Sequence, residues 1–217
     1  MQRYKAVLFD LDGTLLDSAV HFHSILNKQA LELGTAEVDF ETVRQWASNG
    51  AAVMIENCLG ITADAENFQQ LNTQFLELYD QEVHTSCPLF EEIESLLLQL
   101  KSKDIPIAII TNKGRRFYQH IEPQLEQIIP VKVGITRDDV TEIKPHPEGL
   151  LNSAKQLNIT PEECLYVGDH KRDIDAAINA HMPSAAACWG YIHKEDNPTQ
   201  WNANHLLKTP TELLNLI

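Results

Sequence analysis

Two aspartates stand two residues apart in "FDLDGT", where Asp10 and Asp12 close an apolar run and Gly13 and Thr14 follow. A second apolar run, "IAIITNK", ends in Thr111, Asn112 and Lys113; a third, "CLYVGD", ends in Asp169, with Asp173 four residues later. Lys144 lies in "IKPHP", where the prolines at 145 and 147 keep it off a regular helix. Taken singly, each has an ordinary explanation. An Asp after a strand is usually a turn residue or helix N-cap, and a Lys beside prolines is usually solvated. Their conjunction is what carries information: the four fixed residues of DxDGT arise by chance on the order of a few times in a thousand chains of this length.

The chemistry that uses such a set is phosphoryl transfer. Carboxylates from Asp10, Asp12 and Asp169 repel unless a cation holds them, and an all-oxygen ligand set suits Mg²⁺. The metal would polarise a phosphoryl group while Asp10 attacks phosphorus as nucleophile. Asp12 is spaced to protonate the leaving oxygen and then to activate water. Lys144, Thr111, Asn112 and the backbone N–H groups after Asp10, Gly13 among them, would hold the phosphoryl oxygens.

These residues need a scaffold that brings separate segments to one rim. The runs at 4–10, 105–111, 131–135, 164–169 and 184–189 are continuously apolar, as strands buried on both faces are. Helical periodicity at 89–103, 146–158 and 172–181 alternates with the later runs, which predicts an α/β fold with a parallel sheet and right-handed crossovers. In such a sheet ligands bind beyond the carboxyl ends of the strands, where all the residues above fall. Asp169 and Asp173 are expected to share the first turn of a helix. Residues 18–84 hold no strand run but three stretches of helical pattern, 18–34, 40–60 and 64–83. The expected organisation is a core of residues 1–17 and 85–217, with a helical insertion at 18–84 hinged near 14–18 and 84–88; the alternative is one α/β domain with extra helices packed on the sheet.

Composition narrows the partners. A net charge of −14 over 217 residues argues against nucleic acid or an anionic membrane surface. No apolar run reaches a membrane span, the first residues enter a strand pattern at once, and Cys58, Cys87, Cys164 and Cys188 show no metal-ligand spacing. A cytoplasmic protein, monomer or homodimer, acting on a small phosphomonoester is the expectation.

"FDLDGTLLDS", "IITNK", "IKPHP" and "VGDHKRD" resemble, in order and across the whole chain, the four motifs of the haloacid dehalogenase (HAD) superfamily. The resemblance implies a Rossmann-like core, with Asp10 as nucleophile and Asp12 as acid/base. Asp10, the Asp12 backbone carbonyl and Asp169 would hold Mg²⁺; Thr111 and Lys144 would bind phosphate, and Asp173 would support the metal site. The second aspartate fits phosphatases and mutases better than dehalogenases or ion-pumping ATPases. Helices between the first two motifs resemble the C1-type cap, a lid that closes over substrate. Within the superfamily the chain is similar to the phosphoglycolate phosphatase and β-phosphoglucomutase branch. "GYIHKEDNPTQWNA" (190–203), "SNGA" (48–51) and "HTSCPLF" (84–90) look closer to the bacterial N-acetylmuramic acid 6-phosphate phosphatases of cell-wall recycling. His146 and His170 stand where that pattern has acidic residues, Gly114 replaces a usual Pro, and Asn49 replaces one of two glycines. Arg44 and Asn49 in the insertion, and Arg116 near the rim, are candidate contacts to the rest of the substrate.

A receiver-type signalling module would also gather acidic residues, a Thr and a Lys at the carboxyl edge of a parallel sheet. The helical insertion, the DxD spacing and the length all stand against it.

Overall fold

The computed structural model describes residues 4–86 and 88–217; Cys87 of the expected hinge lies outside the described residues. Among them, six parallel strands form one sheet: β1 (Ala6–Phe9), β2 (Ile107–Ile110), β3 (Val131–Ile135), β4 (Cys164–Gly168), β5 (Ser184–Ala187) and β6 (His205–Leu207). Their spatial order is β3-β2-β1-β4-β5-β6, and β1 pairs with both β2 (Val7 opposite Ile107) and β4 (Val7 opposite Leu165). The chain therefore reverses its direction of winding between β1 and β4, which opens a crevice at their carboxyl ends. Asp10 follows β1 and Asp169 follows β4, so the two carboxylates face each other across that crevice.

Strand alternation sorts the core into two layers. Val7, Phe9, Ile107, Ile109, Leu165 and Val167 pack on one face of the sheet, against α5 (Ile93–Ser102) and α6 (Arg115–Glu126). Ala6, Leu8, Ala108, Ile110 and Tyr166 pack on the other, against α7 (Glu148–Leu157) and α8 (Lys171–Asn179). The spacing expected for α5 is the spacing found. Its Ile93, Leu96, Leu97 and Leu100 are fully buried, each contributing about 1.5–3 kcal/mol by leaving water.

Among the described residues, four α-helices precede α5 between β1 and β2: α1 (Ala19–Leu33), α2 (Phe40–Trp46), α3 (Ala51–Leu59) and α4 (Phe68–Val83). They pack on one another, and their apolar faces join the layer beneath α5 and α6. The long pattern over 40–60 is broken by one 3₁₀ turn at Ala47–Asn49, where Ser48 and Asn49 are types that favour turns over helix interiors.

The sheet differs from expectation in two places. The run at 131–135 is not buried on both faces, because β3 is an edge strand with Lys132 exposed. The second edge, β6, comes from a segment with no apolar run. Asp169 also does not enter the helix with Asp173: it stands in the turn before α8, whose N-cap is His170.

Candidate active site

Lys144 is the centre of the site's charge balance. Its Nζ lies 2.7 Å from Asp10 Oδ1 and 2.7 Å from Asp173 Oδ1. The Tyr166 hydroxyl and the Ile110 carbonyl accept from it at 2.8 and 2.9 Å. The side chain is buried, which alone would push its pKa down, but the Asp10 and Asp173 carboxylates hold it above the usual lysine value. Asn112 fixes the loop that presents it: its amide donates to the Lys144 carbonyl at 3.1 Å and accepts from the Lys144 N–H at 3.1 Å. Both ends of that side-chain amide are thus committed to the loop, while Asn112 itself lines the cavity.

Asp10 shows the cost of this crowding. Burial raises its pKa to about 6; Lys144 opposes the rise and the Asp173 charge adds to it. Asp169 is buried more deeply, and its partners are neutral: the Tyr191 N–H at 2.8 Å, the Thr14 hydroxyl at 3.3 Å and the Ser48 hydroxyl at 3.4 Å. Burial first, then the Asp10 and Asp173 charges, push its pKa well above the carboxylate range. Among the described residues no Lys or Arg pairs with Asp169. Asp10, Asp169 and Asp173 each present an oxygen within 4.8 Å of the others. Buried carboxylate oxygens outnumbering their cations are what a hard divalent ion would satisfy, so the residues fit Mg²⁺.

Gly13 makes the approach of Asp169 possible. Its φ is +83°, and a Cβ there would overlap the Asp169 carboxylate. Its own N–H is spent on the Leu16 carbonyl at 2.9 Å. The expected phosphate contact from Gly13 is corrected to this steric role. A Cβ on Gly190 would likewise strike Asp169 and the Gly13 carbonyl. The "GY" that begins the segment after β5 therefore holds Asp169 twice, by the small residue and by the Tyr191 N–H.

Asp12 is held at both oxygens. Ser18 Oγ donates to Oδ1 at 2.7 Å and Lys113 Nζ lies 3.1 Å from Oδ2. Lys113 also donates to the Tyr79 hydroxyl of α4 at 2.6 Å and sits 4.2 Å from that ring's centroid. The Asp12 carboxylate is thereby linked to the helical insertion. Thr111, buried at the end of β2, accepts from the Lys113 N–H at 3.1 Å, which leaves its hydroxyl proton to donate.

A cavity of about 290 Å³ opens above these groups. Asp10, Asp12, Thr111 and Lys144 form its floor, and Phe22, Ser48, Asn49, Met54 and Phe75 of the insertion form its roof. Arg137 and Arg172 lie in its wall. His170 is there too: its Nδ1 accepts from the Arg172 N–H at 3.1 Å, and burial, helped by the Arg172 charge, lowers its pKa to about 4. His146 caps its own turn at the surface, where its Nδ1 accepts from the Glu148 N–H.

Of the candidate substrate contacts in the outer part of the site, Asn49 lines the cavity and the two arginines do not. Arg44 donates to the Trp189 carbonyl at 3.3 Å and lies over the Tyr191 ring, joining α2 to the segment after β5. Arg116 pairs with Asp80 of α4 at 2.9 Å. Both expectations are corrected: these guanidinium groups tie α2 to the segment after β5 and α6 to α4. Sequence reasoning passed over Lys113, Ser18, Ser48, Tyr166 and Tyr191. Each stood in a stretch already quoted (Lys113 in "IITNK", Ser18 in "FDLDGTLLDS", Ser48 in "SNGA", Tyr166 in "CLYVGD", Tyr191 in "GYIHKEDNPTQWNA"), but none had been given a role.

A doubly wound parallel sheet with an acidic cluster, a buried lysine and a threonine at its switch point is an arrangement suited to phosphoryl transfer. The model of the haloacid dehalogenase-like hydrolase family matches residues 7–187. An N-acetylmuramic acid 6-phosphate phosphatase of Pseudomonas putida is 37% identical over 99% of this chain and 96% of its own. A phosphoglycolate phosphatase of Xanthomonas campestris is 38% identical over 96% of this chain and 94% of its own. Among solved structures, a predicted phosphoglycolate phosphatase from Haemophilus somnus has a TM-score of 0.83 at 23% identity, covering 100% of this chain and 99% of that one; it supports the fold. The chain belongs to the haloacid dehalogenase-like hydrolases, as a phosphatase of that family.

Proposed function

We propose that this phosphatase hydrolyses N-acetylmuramic acid 6-phosphate through an aspartyl-phosphate on Asp10, with residues 18–84 acting as a cap over the core of 1–17 and 85–217. Lys144 occupies Asp10 Oδ1, which leaves the second oxygen to attack phosphorus. As that bond forms, the bond from phosphorus to the sugar oxygen breaks and Asp12, protonated, gives its proton to the departing oxygen. Asp12, now a carboxylate, takes a proton from water; the hydroxide attacks phosphorus, phosphate leaves and Asp10 is restored. Asp10, Asp169 and the Asp12 backbone carbonyl would hold Mg²⁺, with Asp173 supporting, and the ion would supply charge neutralisation at the phosphoryl oxygens. Thr111 would bind those oxygens from the protein side, joined by Lys144 as the phosphoryl group displaces one of its present acceptors.

The observation that carries the substrate is the cavity. Both candidates are phosphorylated carboxylic acids, and relatives bearing either name match this chain about equally. Phosphoglycolate has two carbons and would leave most of this space unfilled. A sugar ring with acetamido and lactyl groups fills about 290 Å³ far better. Its carboxylate finds Arg137 and Arg172 in the wall, and Asn49 offers an amide to its polar groups. The test is kcat/KM for the two compounds at one Mg²⁺ concentration and pH. The sugar phosphate is expected to win by tenfold or more; a tenfold preference for phosphoglycolate rejects this substrate.

A further inference from the structure

A second cluster of ligating side chains lies outside the catalytic cavity, at the junction of the helical insertion and the core. Asp80 sits in the last turns of α4, His84 is the residue that ends that helix, and His120 lies on α6 of the core. Each offers one ligand atom, and these atoms lie within 4.8 Å of one another. The two imidazole rings meet with centroids 3.6 Å apart and planes tilted by 37°. Asp80 Oδ2 accepts from Arg116 at 2.9 Å, whereas Asp80 Oδ1 is buried with no hydrogen-bond partner. A buried carboxylate oxygen without a donor is costly, and the Asp80 carboxylate shares a small space with two ring nitrogens.

We propose that Asp80, His84 and His120 form a binding site for a transition-metal ion such as Zn²⁺ that clamps the helical insertion to the core. Two nitrogens and one carboxylate oxygen are ligands of a borderline ion, in contrast to the all-oxygen catalytic cluster that suits Mg²⁺. Three protein ligands leave a fourth tetrahedral position for water, and the charge of Arg116 stays on the other carboxylate oxygen. On the division into cap and core proposed above, α4 and α6 belong to different units, and the bound ion fixes their separation and resists the opening that admits substrate and releases product.

The experiment uses the full chain with Mg²⁺ in large excess. Zn²⁺ affinity is read by competition with a chromophoric chelator, and Cu²⁺ is used as an electron-paramagnetic-resonance probe of ligand type. The wild type is expected to bind one tight Zn²⁺, with nitrogen hyperfine structure from two imidazoles on Cu²⁺. His84→Ala and His120→Ala should each lose affinity tenfold or more and one set of nitrogen couplings. Zn²⁺ should slow turnover of the wild type and not of His84→Ala, an exposed position whose loss leaves the fold in place. Affinities of both variants within threefold of the wild type, or an oxygen-only Cu²⁺ spectrum in the wild type, would overturn the site. Tight Zn²⁺ binding with no change in turnover would overturn the clamp.

Discussion

Lys144→Met removes the ammonium from between Asp10 and Asp173 while keeping most of the side chain's volume. In the native chain one buried cation serves two carboxylates at 2.7 Å, with a tyrosine hydroxyl and a carbonyl completing its hydrogen bonds. Deleting one partner of a buried ion pair leaves an uncompensated charge and costs about 3–5 kcal/mol. For a domain of this size each kcal/mol is worth about 2–4 °C, so a fall in Tm of about 10 °C is expected at pH 7.5 in the presence of a chelator. The sign of the pH dependence is fixed by Asp10. Its pKa is already raised to about 6 with Lys144 present, and removing the influence that lowers it raises it further. A carboxyl whose folded pKa exceeds its unfolded value costs stability as pH rises between the two values, and the cost vanishes below both. The variant is therefore penalised at pH 7.5 and relieved toward pH 5, where the Asp10 carboxyl is protonated and needs no cation. Tm measured for both proteins at both pH values tests this. A loss under about 3 °C at pH 7.5, or an equal loss at both, refutes the claim that Lys144 balances this charge.

Other expectations come from the same geometry. Asp12→Asn should cripple hydrolysis of a sugar phosphate yet largely spare the first step with an aryl phosphate, whose leaving group needs no proton; equal losses in single-turnover assays count against Asp12 as the acid. Gly13→Ala sets a Cβ on the Asp169 carboxylate at a φ of +83°, so Mg²⁺ affinity should fall at least tenfold by calorimetry, and an unchanged affinity means that this approach does not matter to the ion. Without metal, the Asp10 pKa of about 6 makes the fold less stable as pH rises toward that value, the raised Asp169 pKa acts in the same direction, and Mg²⁺ competes with protons for the same oxygens. The Mg²⁺-induced rise in Tm should be larger at pH 7.5 than at pH 5, and the reverse order would contradict the assignment of the ion to these carboxylates.

The strands that position the site were legible because a parallel sheet buries both faces and so writes continuous apolar runs. β3 and β6 departed from that reading because edge strands need not be buried on both sides, and "HLL" is too short to signal anything. No helix was expected at α6: "RRFYQHIEPQLE" carries a proline and many polar residues, and only Tyr118, Ile121 and Leu125 turn inward. Motif residues were legible as a set, but the direction of each side chain was not. Asn112 and Gly13 belong to motifs, yet their polar groups are spent on Lys144 and Leu16. Arg44 and Arg116 look like anion ligands in sequence, and the packing of α2 and α4 on the core claims both. Ser48, Tyr166 and Tyr191 reach the site only through tertiary packing, so the stretches that hold them could be quoted while the contacts of these side chains stayed hidden.

The central claim is that Asp10 carries the phosphoryl group. Rapid-quench trapping with a radiolabelled aryl phosphate, in the Asp12→Asn variant whose second step should be slow, tests it most directly. The account predicts label that is acid-stable, released by hydroxylamine and mapped to Asp10, with none on Asp10→Asn. Full turnover with no labelled enzyme at any time, or label on another residue, would contradict it.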